Sequence, residues 1–473
     1  MEFIHGIVNS INNVLWSYVL IVILIGLGLW FTVSTNFVQV RMLPEMLRVL
    51  TTGTSTKPKS KEVSTFQAFC ISAASRVGVG NIAGVAIAIA LGGPGAVFWM
   101  WVIALIGAAT GFIESTLAQI YKIPKADGLF HGGPAYYIEN GLGQPKVARL
   151  FAVLLTVTFG LIYNSVQANT IADAFHNSFA IPQETTGLVL ALAVGIIIFG
   201  GVNRVASIAG YLLPFMAGLY LFIALAVILL HIDRVPAMFA LIFHDAFQPQ
   251  AAVSGGLIAV ILTGVKRGLF SNEAGEGSVP NAAATAATSH PVKQGLVQSF
   301  GVFVDTWLVC SATAFIILLS GQYTVGGELT GVKLAQASLA ANFGDIASTL
   351  LAFLIFLFAF SSLISNYTYG EINQSHFGSH PKLAIVIYRL CVVGMVFFGC
   401  IAKLSFVWDM ADLFMGFLCM TNLYAISRLA KYAIAALGDY LGQKAAGIKE
   451  PEFDPNILPD EHSIYAWQKE NKL

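Results

Sequence analysis

Ser75-Arg76-Val77-Gly78-Val79-Gly80-Asn81-Ile82-Ala83-Gly84 lies in the middle of an apolar run reaching from about residue 66 to 91. A plain lipid-facing helix disfavours an arginine and closely spaced glycines at that depth. A second run, about 254–289, is interrupted in the same way by Lys266-Arg267-Gly268-Leu269-Phe270-Ser271-Asn272-Glu273-Ala274-Gly275-Glu276-Gly277-Ser278. Non-helical backbone survives at membrane depth only where protein or a wet cavity surrounds it. Both stretches fit R-x4-N-x-A-G, from Arg76 to Gly84 and from Arg267 to Gly275. One belongs to the second apolar run and the other to the seventh. An odd offset of five makes the two units cross the bilayer in opposite directions. That is the pattern of an inverted repeat whose interrupted helices carry a transport site.

A membrane span needs about 20 mostly apolar residues. Eleven runs qualify, at about 14–34, 66–91, 96–121, 149–172, 186–203, 207–230, 254–289, 292–320, 346–370, 383–402 and 409–427. The expected fold is an all-α integral membrane protein of eleven transmembrane helices, one peripheral, followed by a five-plus-five inverted repeat with two broken helices. Its expected parts are residues 1–65 (first helix and the interfacial segment Phe37–Thr52), 66–232 and 233–432 (the repeats), and 433–473 (a polar tail). Composition agrees. Of 473 residues, 56% are hydrophobic and 11% charged, against roughly 25% charged in soluble chains. That deficit excludes disorder, nucleic-acid binding through a basic face, and an ordinary soluble enzyme. No G-x-S-x-G, H-E-x-x-H or paired membrane-aspartate motif supports an intramembrane enzyme.

The positive charges set the orientation. With the N-terminus outside, the inner loops and C-terminal segment hold 17 Lys and Arg, and the outer loops only Arg234, Lys333 and Lys403. The expected topology therefore puts the N-terminus outside and the C-terminus in the cytoplasm. Five cysteines sit in apolar runs and read as packing residues, not disulfides. His131, His176, His231, His244, His290, His376 and His380 fall in loops or near span ends and read as solvated.

A broken helix exposes N–H groups at one new end and C=O groups at the other. Near Gly80 a helix N-terminus faces the membrane centre, where Val79 N–H, Gly80 N–H and Asn81 can hold a carboxylate. Carbonyls around Ala74, Arg76 and Val77 suit a small hard cation. An anion site beside a cation site matches a zwitterionic amino acid with Na+ alongside. Asn164 and Gln167 share a helical face in the fourth run, and Ser361, Ser362, Ser365 and Asn366 follow Phe358-Ala359-Phe360 in the ninth. The paired serines favour ion ligation.

Arg76–Val85, Gly92-Gly93-Pro94-Gly95-Ala96-Val97-Phe98-Trp99-Met100-Trp101, Val166-Gln167-Ala168-Asn169, Phe270–Gly275, Pro280–Ala284 and Phe358–Ser362 resemble the alanine or glycine:cation symporter family over nearly the whole chain. The resemblance implies the leucine-transporter-type fold, a place in the plasma membrane of a prokaryote, and uptake of a small neutral amino acid with Na+ by alternating access. Glutamine, serine or a D-amino acid as cargo, or H+ coupling, are the alternatives, with a channel a distant one. It implies a Na+ site from the carbonyls of Ala74, Val77 and Phe358 with the hydroxyls of Ser361 and Ser362. Substrate contacts fall on Gly78, Val79, Gly80, Asn81, Gln167, Phe270, Ser271 and Glu273. A second ion or gating role falls on Arg76, Arg267, Asn272, Glu276 and Asn366. Val79 stands where relatives often carry Thr or Ser, and Glu276 where Met is expected; the alternatives for Glu276 are pairing with Arg76, binding a proton, or altering specificity. No cofactor other than Na+ as coupling ion is implied. The expected partners are the amino acid and the lipid bilayer, with no nucleic acid and no obligatory protein.

Overall fold

The computed structural model describes residues 2–52, 63–125, 129–200, 202–248, 255–376, 381–458 and 464–467. Lys57, Lys59, Lys61, Lys469, Lys472 and His380, used above for orientation or as solvated groups, lie outside them. Thirteen helices carry the fold: α1 (His5–Ser34), α2 (Thr65–Arg76), α3 (Gly80–Gly92), α4 (Gly95–Ile120), α5 (Pro145–Phe179), α6 (Gln183–Ile198), α7 (Val202–Leu230), α8 (Gly256–Asn272), α9 (Val279–Thr285), α10 (Pro291–Ser320), α11 (Asp345–Ile372), α12 (Pro381–Ile401) and α13 (Leu404–Ala445).

Among the described residues, eight helices are long and apolar enough to cross a bilayer: α1, α4, α5, α7, α10, α11, α12 and α13. The bent pair α2/α3 makes a ninth when counted as one span. The other two expected spans are α6 and the pair α8/α9. At 16 residues, α6 is about 24 Å long, short of a hydrocarbon core of about 30 Å. Both glycine-rich runs are broken, as their composition requires.

Packing follows the small residues. α8 carries Gly264 and Gly268 one turn apart, and both face α4. A β-carbon at Gly264 would stand 2.6 Å from the Ala96 carbonyl oxygen, and one at Gly268 would stand 2.7 Å from Ile103 Cγ2. Backbone contact this close needs glycine. α4 also packs on α10, while α5 packs on α11 and α12. α7 and α11 both pack on α2. Wide π-type turns interrupt α3 at Gly80–Gly84, α5 at Thr158–Tyr163 and α10 at Phe303–Cys310. Such turns mark places where side chains are re-aimed.

Two expectations near the C-terminus change. α13 runs on to Ala445, past the point where a polar tail was expected. Ala430, Ala433, Leu437 and Tyr440 form a buried stripe at helical spacing that the polar residues between them mask. His290 is fully buried rather than solvated. Its imidazole lies between the rings of Tyr440 and Phe453, and Nδ1 accepts the Val292 N–H at 3.2 Å, capping α10.

Candidate functional site

The first break is short. Only Val77, Gly78 and Val79 separate α2 from α3, whose axes differ by 50°. Gly78 N–H donates to Asn81 Oδ1 at 2.9 Å and Val79 N–H to Gln167 Oε1 at 3.1 Å. The Asn81 amide donates in turn to Asp305 Oδ1 at 2.7 Å, and Thr313 Oγ1 donates to the Asn81 carbonyl at 2.6 Å. Asn81 therefore caps its own helix and anchors it to α10. Of the expected carboxylate-binding groups, Val79 N–H already meets an oxygen, that of Gln167. A β-carbon at Gly80 would meet the Phe270 ring at 3.0 Å, so that glycine lets the two broken helices touch.

On the other side of the break, Ser362 Oγ lies 3.0 Å from the carbonyl oxygens of both Ala74 and Ser75 and 3.2 Å from that of Phe358. Ser361 Oγ lies 2.8 Å from the Phe358 oxygen and 3.4 Å from the Ala74 oxygen. These are hard, neutral oxygen donors at the C-terminal, negative end of α2, the donor set of a small hard cation. Ala74, Phe358, Ser361 and Ser362 are thus gathered as expected, with Ser75 in addition. Val77 is in the break, and its N–H donates to the Ala73 oxygen at 2.8 Å.

The second break is longer and differently held. Glu273–Ser278 separate α8 from α9, with positive φ at Glu273 (57°), Gly275 (99°) and Gly277 (80°). Carboxylates do the holding. Glu273 accepts from Ser75 at 2.8 Å and Ser278 at 2.6 Å, which ties the second break to α2. Glu114, on α4, accepts from Gly275 N–H at 3.3 Å and from the Asn422 amide at 2.8 Å, and that amide also donates to the Gly275 carbonyl. Asn272 Oδ1 accepts the Ala274 N–H at 3.0 Å, an internal turn, and its amide reaches Thr306. Ser271 Oγ donates to Asp305 Oδ2 at 2.7 Å. Phe270 packs between Tyr163 and Trp408, with ring centroids at 4.8 and 4.7 Å.

The charged residues pair otherwise than expected. Arg76 donates to the backbone oxygen and amide oxygen of Gln298 at 3.2 and 3.3 Å, not to Glu276. Glu276 is turned toward Tyr163, whose hydroxyl donates to it at 3.1 Å. Arg267 pairs with Asp412. Asn366 sits 2.7 Å from Ser75 Oγ and donates to Asn164 Oδ1 at 3.2 Å. Sequence reasoning missed Asp305, Glu114, Asp412, Ser278 and Asn422. The signal was there for the three acids, which lie inside the apolar runs 292–320, 96–121 and 409–427. Buried acids in such runs mark function as strongly as Arg76 does.

The R-x4-N-x-A-G match does not line up with the breaks. Arg76 is the last residue of its first half-helix, whereas Arg267 lies five residues before the end of its own. Asn81 therefore follows its break and Asn272 precedes its break.

The sodium:alanine symporter family model matches residues 1–455. The chain is 52% identical to a protein named a probable sodium/glutamine symporter of Bacillus subtilis, covering 98% of this chain and 96% of that one. It is 46% identical to the amino-acid carrier protein AlsT of the same organism, over 100% and 99%. It is 35% identical to the sodium/alanine symporter AgcS of Methanococcus maripaludis, over 92% and 96%. In three dimensions it resembles the manganese transporter of Eremococcus coleocola, with a TM-score of 0.55 at 13% identity, over 84% of this chain and 86% of that one. At that identity the likeness speaks for the fold alone. A membrane transporter rather than an enzyme, the chain belongs to the sodium:alanine symporter family.

Proposed function

We propose that this protein imports a small neutral amino acid, alanine or glycine first, by Na+ symport. The observation that carries the reading is the convergence of Ser361 and Ser362 hydroxyls with the Ala74, Ser75 and Phe358 carbonyls beside the first break. Na+ in that cluster joins α2 to α11. It replaces two hydroxyl hydrogen bonds by stronger ion–oxygen contacts and stiffens the adjacent turn Val77–Val79. The Gln167 amide oxygen on Val79 N–H stands in for a substrate carboxylate oxygen. When it swings away, the N-terminal dipole of α3 receives the carboxylate. Phe270, Tyr163 and Gly80 leave little room for a side chain, which favours small cargo. The second reading, glutamine, rests on the 52% identical relative.

The two broken helices and their partners then rock against the rest, as residues 66–232 and 233–432 exchange access between the two faces. Arg48 and Lys293 pair with Glu450, Lys444 donates to the Lys449 carbonyl and Lys122 lies over the Trp467 ring, so these inner-loop cations meet residues near the C-terminus, which supports a cytoplasmic C-terminus. Moving one charge through 100 mV supplies about 2.3 kcal/mol, and a tenfold Na+ gradient about 1.4 kcal/mol. Together they support accumulation of several hundred-fold.

The test is uptake of labelled alanine into proteoliposomes with and without an inward Na+ gradient, with unlabelled glutamine as competitor. Uptake driven by Na+ and displaced poorly by glutamine is expected. Equal uptake under both ionic conditions refutes Na+ coupling. Stronger displacement by glutamine than by alanine moves the cargo to the second reading.

A further inference from the structure

α2 starts and α9 ends on the face that holds the C-terminus, and that end of the broken helices is closed in three layers. The first is the joint between them, where the Ala287 N–H donates to the Val63 carbonyl at 2.9 Å. The second comes from α4 and the residues just after it. Gln119 Nε2 donates to the Ala286 oxygen at 3.0 Å and Lys122 Nζ to the same oxygen at 2.8 Å, just past the last turn of α9. A cation is favoured at that negative end of a helix, and both side chains are buried. The third is the C-terminal segment, residues 448–458 and 464–467, whose Phe453, Leu458 and Ile464 are buried. Ser289 Oγ donates to the Pro451 carbonyl at 2.8 Å, and the Phe453 N–H donates to the Ser289 carbonyl at 3.0 Å. Glu450 pairs with Arg48 at 2.9 Å and with Lys293 in the first turn of α10. Trp467 reaches furthest. Its indole N–H donates to the Gln119 carbonyl at 2.9 Å, and its ring lies 5.1 Å from Lys122 Nζ and 5.1 Å from the Phe453 ring. Trp467 therefore holds both residues that cap the end of α9.

We infer that the C-terminal segment is a strap that holds this end of the transport path shut, with Trp467 and Glu450 as the positioning residues that set how readily it opens. Cargo bound between the breaks leaves by the C-terminal face only if α2 and α9 part there, as alternating access requires. They stay together while Val63 and Ala287 are joined. The strap ties down the chain on the far side of that joint, at Ser289 and Lys293. Through Gln119 and Lys122 it also ties down the end of α9. Its outer fastenings are of a kind that lets go. The Glu450 side chain is 33% exposed and Trp467 is half-buried. Ion pairs and cation–π contacts at a solvent boundary are individually weak. Several of them together make a catch that opens and recloses within a transport cycle. The inference rests on the proposed reading of the protein as a symporter for its role in transport, whereas the closure itself does not depend on which cargo is carried.

A thiol at the start of α2 tests it. Thr65 is fully buried and its hydroxyl has no hydrogen-bond partner among the described residues, so Thr65→Cys loses no bond. The full-length protein carrying Thr65→Cys, with the exposed Cys391 changed to alanine, is placed in nanodiscs and treated with a polar maleimide. Its rate of labelling at position 65 reports opening at this end. Adding Trp467→Ala or Glu450→Gln should speed labelling about tenfold. Adding Trp467→Phe, which keeps the ring and removes the N–H, should speed it about threefold. In proteoliposomes Trp467→Ala should raise the KM of alanine uptake about threefold without lowering the maximal rate, and its melting temperature should stay within a few degrees of wild type. Equal labelling rates in all variants overturn the inference and leave Na+-driven symport standing. Faster labelling accompanied by a lower maximal rate and a melting temperature lowered by ten degrees or more also overturns it, because the fold has then loosened rather than opened. Faster labelling in a protein that shows no Na+-driven uptake overturns the symport reading and leaves the strap standing.

Discussion

The two breaks carry the same four-residue motif and are built from different chemistry. The first spans three residues, uses no positive φ and is held by amides and hydroxyls: Asn81, Gln167, Ser361 and Ser362. The second spans six residues, three of them at positive φ, and is held by Glu114 and Glu273 with Asn422. The five gathered oxygens of Ser361, Ser362, Ala74, Ser75 and Phe358 share only two hydroxyl protons, which leaves lone pairs for a cation, so the first break is the one equipped to bind. Glu114 and Glu273 already accept hydrogen bonds on both oxygens, so they hold the second break as a joint that positions Phe270 and Ser271. Two halves related in sequence need not divide the work equally.

The sharpest way to break the comparison is to put the same methyl group into each break. Gly277 has φ +80°, and a β-carbon there would meet Pro134 Cγ at 2.7 Å, Asn422 Cγ at 2.8 Å and Phe151 Cζ at 2.9 Å. Backbone strain and overpacking act together, a cost of about 3 kcal/mol or more. Gly277→Ala should leave no monodisperse folded protein after purification; a wild-type elution profile and melting temperature would show that the second break is not a rigid joint.

Gly78 has ordinary φ, and its β-carbon would run into Ser362 Oγ and approach Gln167 at 3.0 Å, the far ends of movable side chains. Gly78→Ala should fold, with a melting temperature within a few degrees of wild type, and lose roughly a hundredfold in uptake, about 2.7 kcal/mol. Comparable losses of folding in both variants would erase the distinction between binding break and joint.

A milder change separates ion from substrate at the first break. Removing both hydroxyls with Ser361→Ala and Ser362→Ala takes away two of the five gathered oxygens and leaves the carbonyls. The Na+ concentration for half-maximal uptake should rise about tenfold or more, some 1.4 kcal/mol, with the KM for alanine at saturating Na+ changed much less. An unmoved Na+ dependence would shift the cation elsewhere.

Much of this is legible in the sequence. Glycines and charges inside apolar runs announced both breaks, because lipid leaves no other explanation for them. The paired hydroxyls of Ser361 and Ser362 in the ninth run suggest ion ligation, and the family resemblance implies their place beside Ala74. What was not legible was who meets whom across the membrane. Arg76 and Glu276 looked like natural partners, yet they are separated by the geometry of two bends, and Arg76 meets the neutral Gln298 instead. The repeat of Arg and Asn suggests equivalent breaks, and they are not equivalent. A sequence motif does not say on which side of it a helix will end, and the positive φ at Glu273 ends α8 five residues after Arg267. Burial of His290 also escaped, since it depends on a C-terminal segment folding back across the start of α10.

That burial gives the smallest of the differences between the two halves. The N-terminus of α2 is capped by Ser64 and Gln67, which do not titrate. α10, which follows the second broken helix, is capped by His290. The two regions are stitched together by the Ala287 N–H donating to the Val63 carbonyl at 2.9 Å. Burial lowers the His290 pKa from 6.5 to about 4, against the raising pull of Asp439. The cap itself needs Nδ1 unprotonated. Because the folded-state pKa lies below the unfolded one, the unfolded chain takes up the proton first. Stability is therefore full above pH 6.5 and falls as pH drops through the window from 6.5 toward 4. The melting temperature should fall by a few degrees between pH 7 and 4.5. His290→Asn keeps a side-chain acceptor for the Val292 N–H and removes the titration. Its profile over that window should be flatter than that of the wild type. An equally steep fall in His290→Asn would place the acid-sensitive group elsewhere and make the two caps equivalent.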